Sequence, residues 1–150
     1  MSDAARLERI ALLMTGNPET AKDLTQDTLV KTYRAWGRIT GDDPGPYARQ
    51  ALINLCRNHH RRRSLELTKG AAIDVKEVTD PDVAETIRVA NALASLPPLR
   101  RAVMVLRYYE DMTEAEVARV LDRPLNTVKS DIRRSLERLR PLLAEGAKTP

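Results

Sequence analysis

The sequence predicts an all-α protein: two small helical domains joined by an acidic linker, the C-terminal one carrying a helix-turn-helix. Three observations carry that expectation. Apolar residues recur at spacings of three and four through most of the chain. Aromatics are only 3% of the 150 residues and phenylalanine is absent, so the core must be aliphatic, while charged residues reach 31%, as amphipathic helices require. Between residues 64 and 81 the periodicity lapses and the second half turns acidic, which marks a linker. The expected domains are therefore 1–63 and 82–150.

In order, residues 4–14 read as a short helix ended by the turn cluster Thr15-Gly16-Asn17-Pro18. A longer helix covers 18–36, in which Leu29, Tyr33 and Trp36 fall at i, i+4 and i+7 and are expected to pack inward. Asp23, Gln26 and Asp27 share a different face, and physics alone reads them as a solvated helix start. A loop over 37–45 leads to a helix over 46–63 with an apolar stripe of Ala51, Leu52 and Leu55. Its end carries Arg57, His59, His60, Arg61, Arg62 and Arg63 without an acid. Part of that run complements a helix C-terminus, but three consecutive arginines exceed the need and suit phosphate. The linker, fully extended, would reach ~60 Å, beyond the ~34 Å of one DNA turn. Helices return over 82–94 and 99–110, separated by Leu96-Pro97-Pro98.

The stretch 113–143 organises the chain. Thr113 and Glu116 form a capping box, and Val117, Val120 and Leu121 follow on one face beside small Ala118. After Asp122-Arg123, Pro124 suits a first helical position. The second helix is expected to bury Leu125, Val128, Ile132, Leu136, Leu139 and Leu143. Its front shows Asn126, Thr127, Lys129, Ser130, Arg133 and Arg134, residue types that suit phosphates and base edges, so the helix reads as a DNA-recognition helix. Asp131 is the odd member. An acid there is expected to point aside, accept from a cytosine amino group, or pair with Arg134.

Charge and composition narrow the classes. A net charge of +4 and a pI near 9.5 favour a polyanionic partner. The single cysteine, Cys56, excludes an internal disulfide framework and agrees with a reducing cytoplasm. Cys56, His59 and His60 are zinc-ligand types, but no further Cys or His completes four ligands, so no metal is expected. The apolar run 10–14 is too short for a membrane span, and a cytoplasmic protein without membrane attachment is expected.

Taken together, these motifs resemble the extracytoplasmic-function sigma factors of the sigma-70 family. AKDLTQDTLVKTYRAW and PYARQALINLCRNHHRRR are similar to the family's region 2, and SLPPLRRAVMVLRYYEDMTEAEVARVLDRPLNTVKSDIRRSLERLR to its region 4. The resemblance implies a dissociable subunit that directs core RNA polymerase to promoter DNA, with no catalytic residue, cofactor or small-molecule substrate of its own. It implies that Asp23, Gln26 and Asp27 grip the polymerase. It implies that Tyr47, Asn54, Arg57, Arg61, Arg62 and Arg63 meet the −10 element. The −35 element falls to Asn126, Thr127, Lys129, Ser130, Arg133 and Arg134. An anti-sigma partner is left open. The sequence departs from the family in a later start of the first helix, in Tyr47 for the usual tryptophan, in Asn126 for a small residue, and in Asp131 for a basic one. Two other classes stay open: a stand-alone helix-turn-helix regulator that needs no polymerase, and a metal enzyme built on Cys56, His59 and His60.

Overall fold

The computed structural model describes residues 3–39, 41, 43–68 and 79–147. Seven α-helices, a 3-10 turn and a π turn account for the regular structure, and there is no strand among the described residues. Helix α1 (Asp3–Thr15) is the hub. Its second half is buried on every side, from Ile10 through Met14, because α2 (Pro18–Arg34), α3 (Gly45–Thr68) and α4 (Pro81–Leu93) all pack on it. A helix apolar all round belongs inside. It ends where Gly16 takes the left-handed conformation (φ 71°), and Asn17 caps α2 by accepting from the amides of Glu19 at 3.0 Å and Thr20 at 3.1 Å.

Helix α2 reverses one expectation. It buries Ala21, Leu24, Thr25, Thr28 and Thr32, while Leu29, Tyr33 and Trp36 are 42%, 81% and 58% exposed. The threonines explain the reversal. Each hydroxyl donates to the carbonyl four residues back (Thr25 to Ala21 at 2.7 Å, Thr28 to Leu24 and Thr32 to Thr28 at 2.8 Å), so each is satisfied within its own helix and packs as a small apolar group. A narrow stripe of Ala and Thr lets α1 and α3 come close, and the large side chains are left outside. The helix stops at Arg34 and a 3-10 turn, Trp36–Arg38, takes its place at the expected end.

Helix α3 buries Ala48, Leu52, Ile53 and Cys56 and runs to Thr68, past the expected boundary at residue 63. No glycine or proline interrupts it before Gly70. The linker's first residues are thus helical, and its middle, 69–78, lies outside the described residues. In α4, Asp80 accepts from the amide of Asp82 at 2.9 Å. Small Ala90 then sits beside Gly16, where the two chain segments meet.

Helix α5 (Pro98–Met104) widens into a π turn (Val105–Tyr109) before α6 (Glu114–Leu121). The capping box is present both ways, Thr113 and Glu116 exchanging hydrogen bonds of 3.1 Å. Asp122 turns left-handed (φ 52°) and α7 (Leu125–Ala147) follows. Pro124 stands just outside α7 rather than at its first position, its carbonyl taking the amide of Val128 at 3.1 Å.

The sequence leaves the orientation of the two halves open. The structure packs them together, with α1 against α4 and α3 against α5 in one continuous core. Glu110 pairs with Arg6 at 2.5 Å and lies 3.8 Å from Arg49, and Arg9 donates to Thr86 at 3.2 Å.

Candidate polymerase and nucleic-acid interfaces

Three solvent-facing patches carry the candidate residues. On α2, positions 23, 26, 27, 30 and 33 recur at three and four and face outward. Asp23, Gln26 and Asp27 therefore share a surface with Val30 and Tyr33, flanked by Leu29 and Trp36. Neither carboxylate has an ion pair among the described residues. Exposed aromatics and aliphatics with acids toward the start of the helix and Lys31, Arg34 and Arg38 among and beyond them form a patch of the kind that protein partners cover.

On α3, one line of residues opens onto a hollow of about 220 Å³, lined by Lys31, Tyr47, Gln50, Asn54, Leu55 and Asn58 among others. Tyr47 and Asn54 both line it, and Gln50 donates to Asn54 at 3.5 Å. Lys31, Gln50 and Asn58 were missed by sequence reasoning. The spacing 47, 51, 54, 58 on one helix was a signal available for Asn58, whereas Lys31 comes from α2 and had none. Arg61 and Arg62 are exposed further along α3, while Arg57 and Arg63 are half-buried.

Cys56, His59 and His60 do not gather as ligands. No group of three or more His, Cys, Asp or Glu side chains among the described residues could hold a metal. Cys56 is buried in the core, which pushes its thiol up to about 12 against the pull of Arg101. His60 Nε2 lies 2.6 Å from the Met14 carbonyl and 2.7 Å from Arg101 Nη1. Burial first, and the Arg101 charge second, lower its pKa to about 4.

On α7, Asn126, Lys129, Arg133 and Arg134 are exposed and Thr127 and Ser130 half-buried, all on the expected front. One expectation for this helix fails, and of the places left open for Asp131 the structure takes the one that points aside. Leu125, the first residue of the helix, is 41% exposed, whereas of the other apolar residues expected inside Val128, Ile132 and Leu139 are buried and Leu136 and Leu143 partly so. Asp131 is buried at 5% exposure on the edge of the core face, 3.6 Å from Arg100 and 3.6 Å from Arg123, and does not pair with Arg134. Two cations in adjacent elements hold the acid away from the front.

Such an all-helical chain, with a helix-turn-helix at one end and a helical module bearing two further exposed patches at the other, is a helix-turn-helix protein equipped for more than duplex DNA. Residues 2–66 match the model of sigma-70 region 2, and residues 86–139 that of sigma-70 region 4. The chain is 34% identical over 137 residues to the RNA polymerase sigma-E factor of Streptomyces avermitilis, covering 89% of this chain and 76% of that one. It is 33% identical to the ECF RNA polymerase sigma factor SigL of Mycobacterium tuberculosis, covering 95% and 85%. Its fold matches the Bartonella quintana sigma factor RpoE, solved in complex with the anti-sigma factor NepR, at a TM-score of 0.79 and 22% identity, over 95% of this chain and 92% of that one. The chain belongs to the extracytoplasmic-function sigma factors of the sigma-70 family.

Proposed function

We propose that this chain binds core RNA polymerase, directs it to particular promoters, and divides that task among its three patches. The outward face of α2 docks on polymerase through Asp23, Gln26 and Asp27, with the neighbouring apolar side chains supplying buried area. The hollow on α3 takes the −10 element. Tyr47 stacks on an unpaired base, Asn54 pairs with a base edge, and Arg57 and Arg61 to Arg63 neutralise the adjacent phosphates. The front of α7 enters the major groove at the −35 element, where Asn126 suits adenine and Arg133 and Arg134 suit guanine or phosphate. Catalysis stays with the polymerase, so the chain works in the cytoplasm without cofactor or substrate pocket. No helix among the described residues is long and apolar enough to cross a membrane. An anti-sigma partner belongs to the same reading, since the structurally similar RpoE was solved with one.

The observation that carries the reading is the α2 face. A regulator working on duplex DNA alone has no use for exposed Tyr33 and Trp36 beside solvent-facing carboxylates. The deciding experiment is reconstitution with core polymerase and sequencing of transcript starts. A shared motif upstream of the starts supports the reading. Unchanged start sites, together with equally selective duplex binding by the chain alone, would instead favour a stand-alone regulator.

A further inference from the structure

Asp131 lies in the middle of the recognition helix, yet none of its chemistry faces outward. Its Oδ1 is 3.6 Å from Arg100 Nε on α5, and its Oδ2 is 3.6 Å from Arg123 Nη2 in the turn that leads into α7. Both distances are ion-pair contacts rather than hydrogen bonds. Oδ2 and Arg123 Nε are buried without any hydrogen-bond partner among the described residues. A carboxylate kept this dry is held by the field of the two guanidinium groups. The reverse also holds: Arg100 and Arg123, each with about a third of its side chain exposed, have Asp131 as their one ion-pair partner among the described residues. On the helix wheel Asp131 adjoins the edge of the front that carries Thr127 and Arg134. Two further cations would therefore lie beside the DNA backbone if nothing restrained them.

We propose that Asp131 is a positioning residue that sets −35 specificity. Its carboxylate keeps Arg100 and Arg123 tied to the protein and fixes α7 against α5 and the turn, so the duplex meets the reading side chains and not two extra phosphate-seeking arginines. Phosphate contacts raise affinity without regard to sequence, so withholding two of them widens the gap between matched and unmatched sites. This inference rests on the reading of α7 as the −35 contact.

The test uses holoenzyme reconstituted with core polymerase and duplexes carrying a matched or a scrambled −35 element, at several salt concentrations. Asp131→Asn keeps the shape and removes the charge. Expected are a several-fold rise in scrambled-site binding at low salt, a smaller matched-to-scrambled ratio, and a salt slope steeper by up to about 1.8, at ~0.9 for each phosphate newly neutralised. Adding Arg100→Gln and Arg123→Gln should return the slope to its starting value. Loss of matched and scrambled binding in parallel, with an unchanged slope, would mark Asp131 as merely structural and overturn the proposal. Should Asp131→Asn fail to fold, Arg123→Gln alone decides. An unaltered slope agrees with a sequestered arginine, and a slope shallower by about 0.9 shows that Arg123 already contacts phosphate and ends the proposal. Lys129→Ala and Arg133→Ala run alongside. If neither affects matched binding, the reading of α7 itself falls. If they do and Asp131→Asn leaves scrambled binding unchanged, only the role of Asp131 falls.

Discussion

Arg101 Nη1 donates to the carbonyl of Met14 over 2.9 Å, joining residues 87 positions apart. The same guanidinium donates from Nε to Leu93 at 3.1 Å and from Nη2 to Leu96 at 3.0 Å. Met14 and Leu93 lie in the last turns of α1 and α4, where carbonyls have no intrahelical partner. One buried cation thus satisfies both helix ends and complements their dipoles at the point where the two halves of the chain meet. Burial lowers its pKa, but an arginine so placed stays charged.

Replacing this group should therefore cost more than an ordinary surface change. Arg101→Met takes a donor from three carbonyls, of which Leu93 keeps the Leu96 amide at 2.9 Å and Met14 keeps the His60 ring at 2.6 Å, and is expected to lose about 2–4 kcal/mol in urea unfolding. Arg101→Lys should recover only part, since an ammonium cannot span the fork of acceptors. A loss below about 0.5 kcal/mol for Arg101→Met would show that the bridge contributes nothing to stability.

His60 makes the same junction sensitive to acid. In the unfolded chain its ring titrates near 6.5, and in the fold near 4. Between those values the unfolded state holds the extra proton, so stability falls as the pH drops through that window and this contribution levels off below it. Because the ring keeps some solvent contact, the loss is about 1–2 kcal/mol. His60→Gln should remove it, and the quantity to measure is the difference between the two stability curves over that range. Parallel curves would mean that His60 titrates in the fold as it does in solvent.

Cys56 offers a chemical probe of the same core. With its thiol pushed up to about 12, only about one molecule in ten thousand carries the reactive thiolate at pH 8. Iodoacetamide should label it at least a hundredfold faster in denaturing urea than in the native protein. Native labelling within tenfold of the denatured rate would mean that the junction around Arg101 opens freely.

The helix-turn-helix was the most legible part of the sequence, because its signals are local. The capping box of Thr113 and Glu116 and the spacing of Val128, Ile132 and Leu139 each need only a few neighbouring residues, and all are present in the structure. The place of Asp131 stayed open among several because it sits on the boundary between the two faces of α7, and its side is decided by Arg100, 31 positions earlier, and by Arg123. The junction of the two halves left no sequence trace either. Nothing local distinguishes Arg101 from Arg100, although one is buried against carbonyls of two helices and the other faces a carboxylate. Helix α2 misled for a further reason. Large apolar residues outrank threonine on any hydropathy scale, yet threonines that bond back to their own helix are what the neighbours pack against.

That inversion of α2 yields the sharpest separation between stability and function. Had Trp36 been in the core, truncating it would cost about 3–5 kcal/mol of folding stability. Because Tyr33 and Trp36 are mostly exposed, Tyr33→Ser and Trp36→Ser should each alter unfolding by no more than about 0.5 kcal/mol. Leu24→Ala, on the buried side of the same helix, should cost about 2–5 kcal/mol. The order reverses for assembly. If the outward face docks on polymerase, Tyr33 and Trp36 sit among the residues that bury the most area there, and each truncation should weaken binding by more than about 1.4 kcal/mol, a tenfold rise in Kd. Asp23→Ala with Gln26→Ala should weaken assembly as well, with the helical content unchanged, and the loss from Asp23 should shrink as salt screens its charge. Urea unfolding and titration of labelled chain with core polymerase give the two numbers for each variant. Full-strength assembly of Tyr33→Ser, Trp36→Ser and the Asp23/Gln26 double variant would place the polymerase contact elsewhere on the chain.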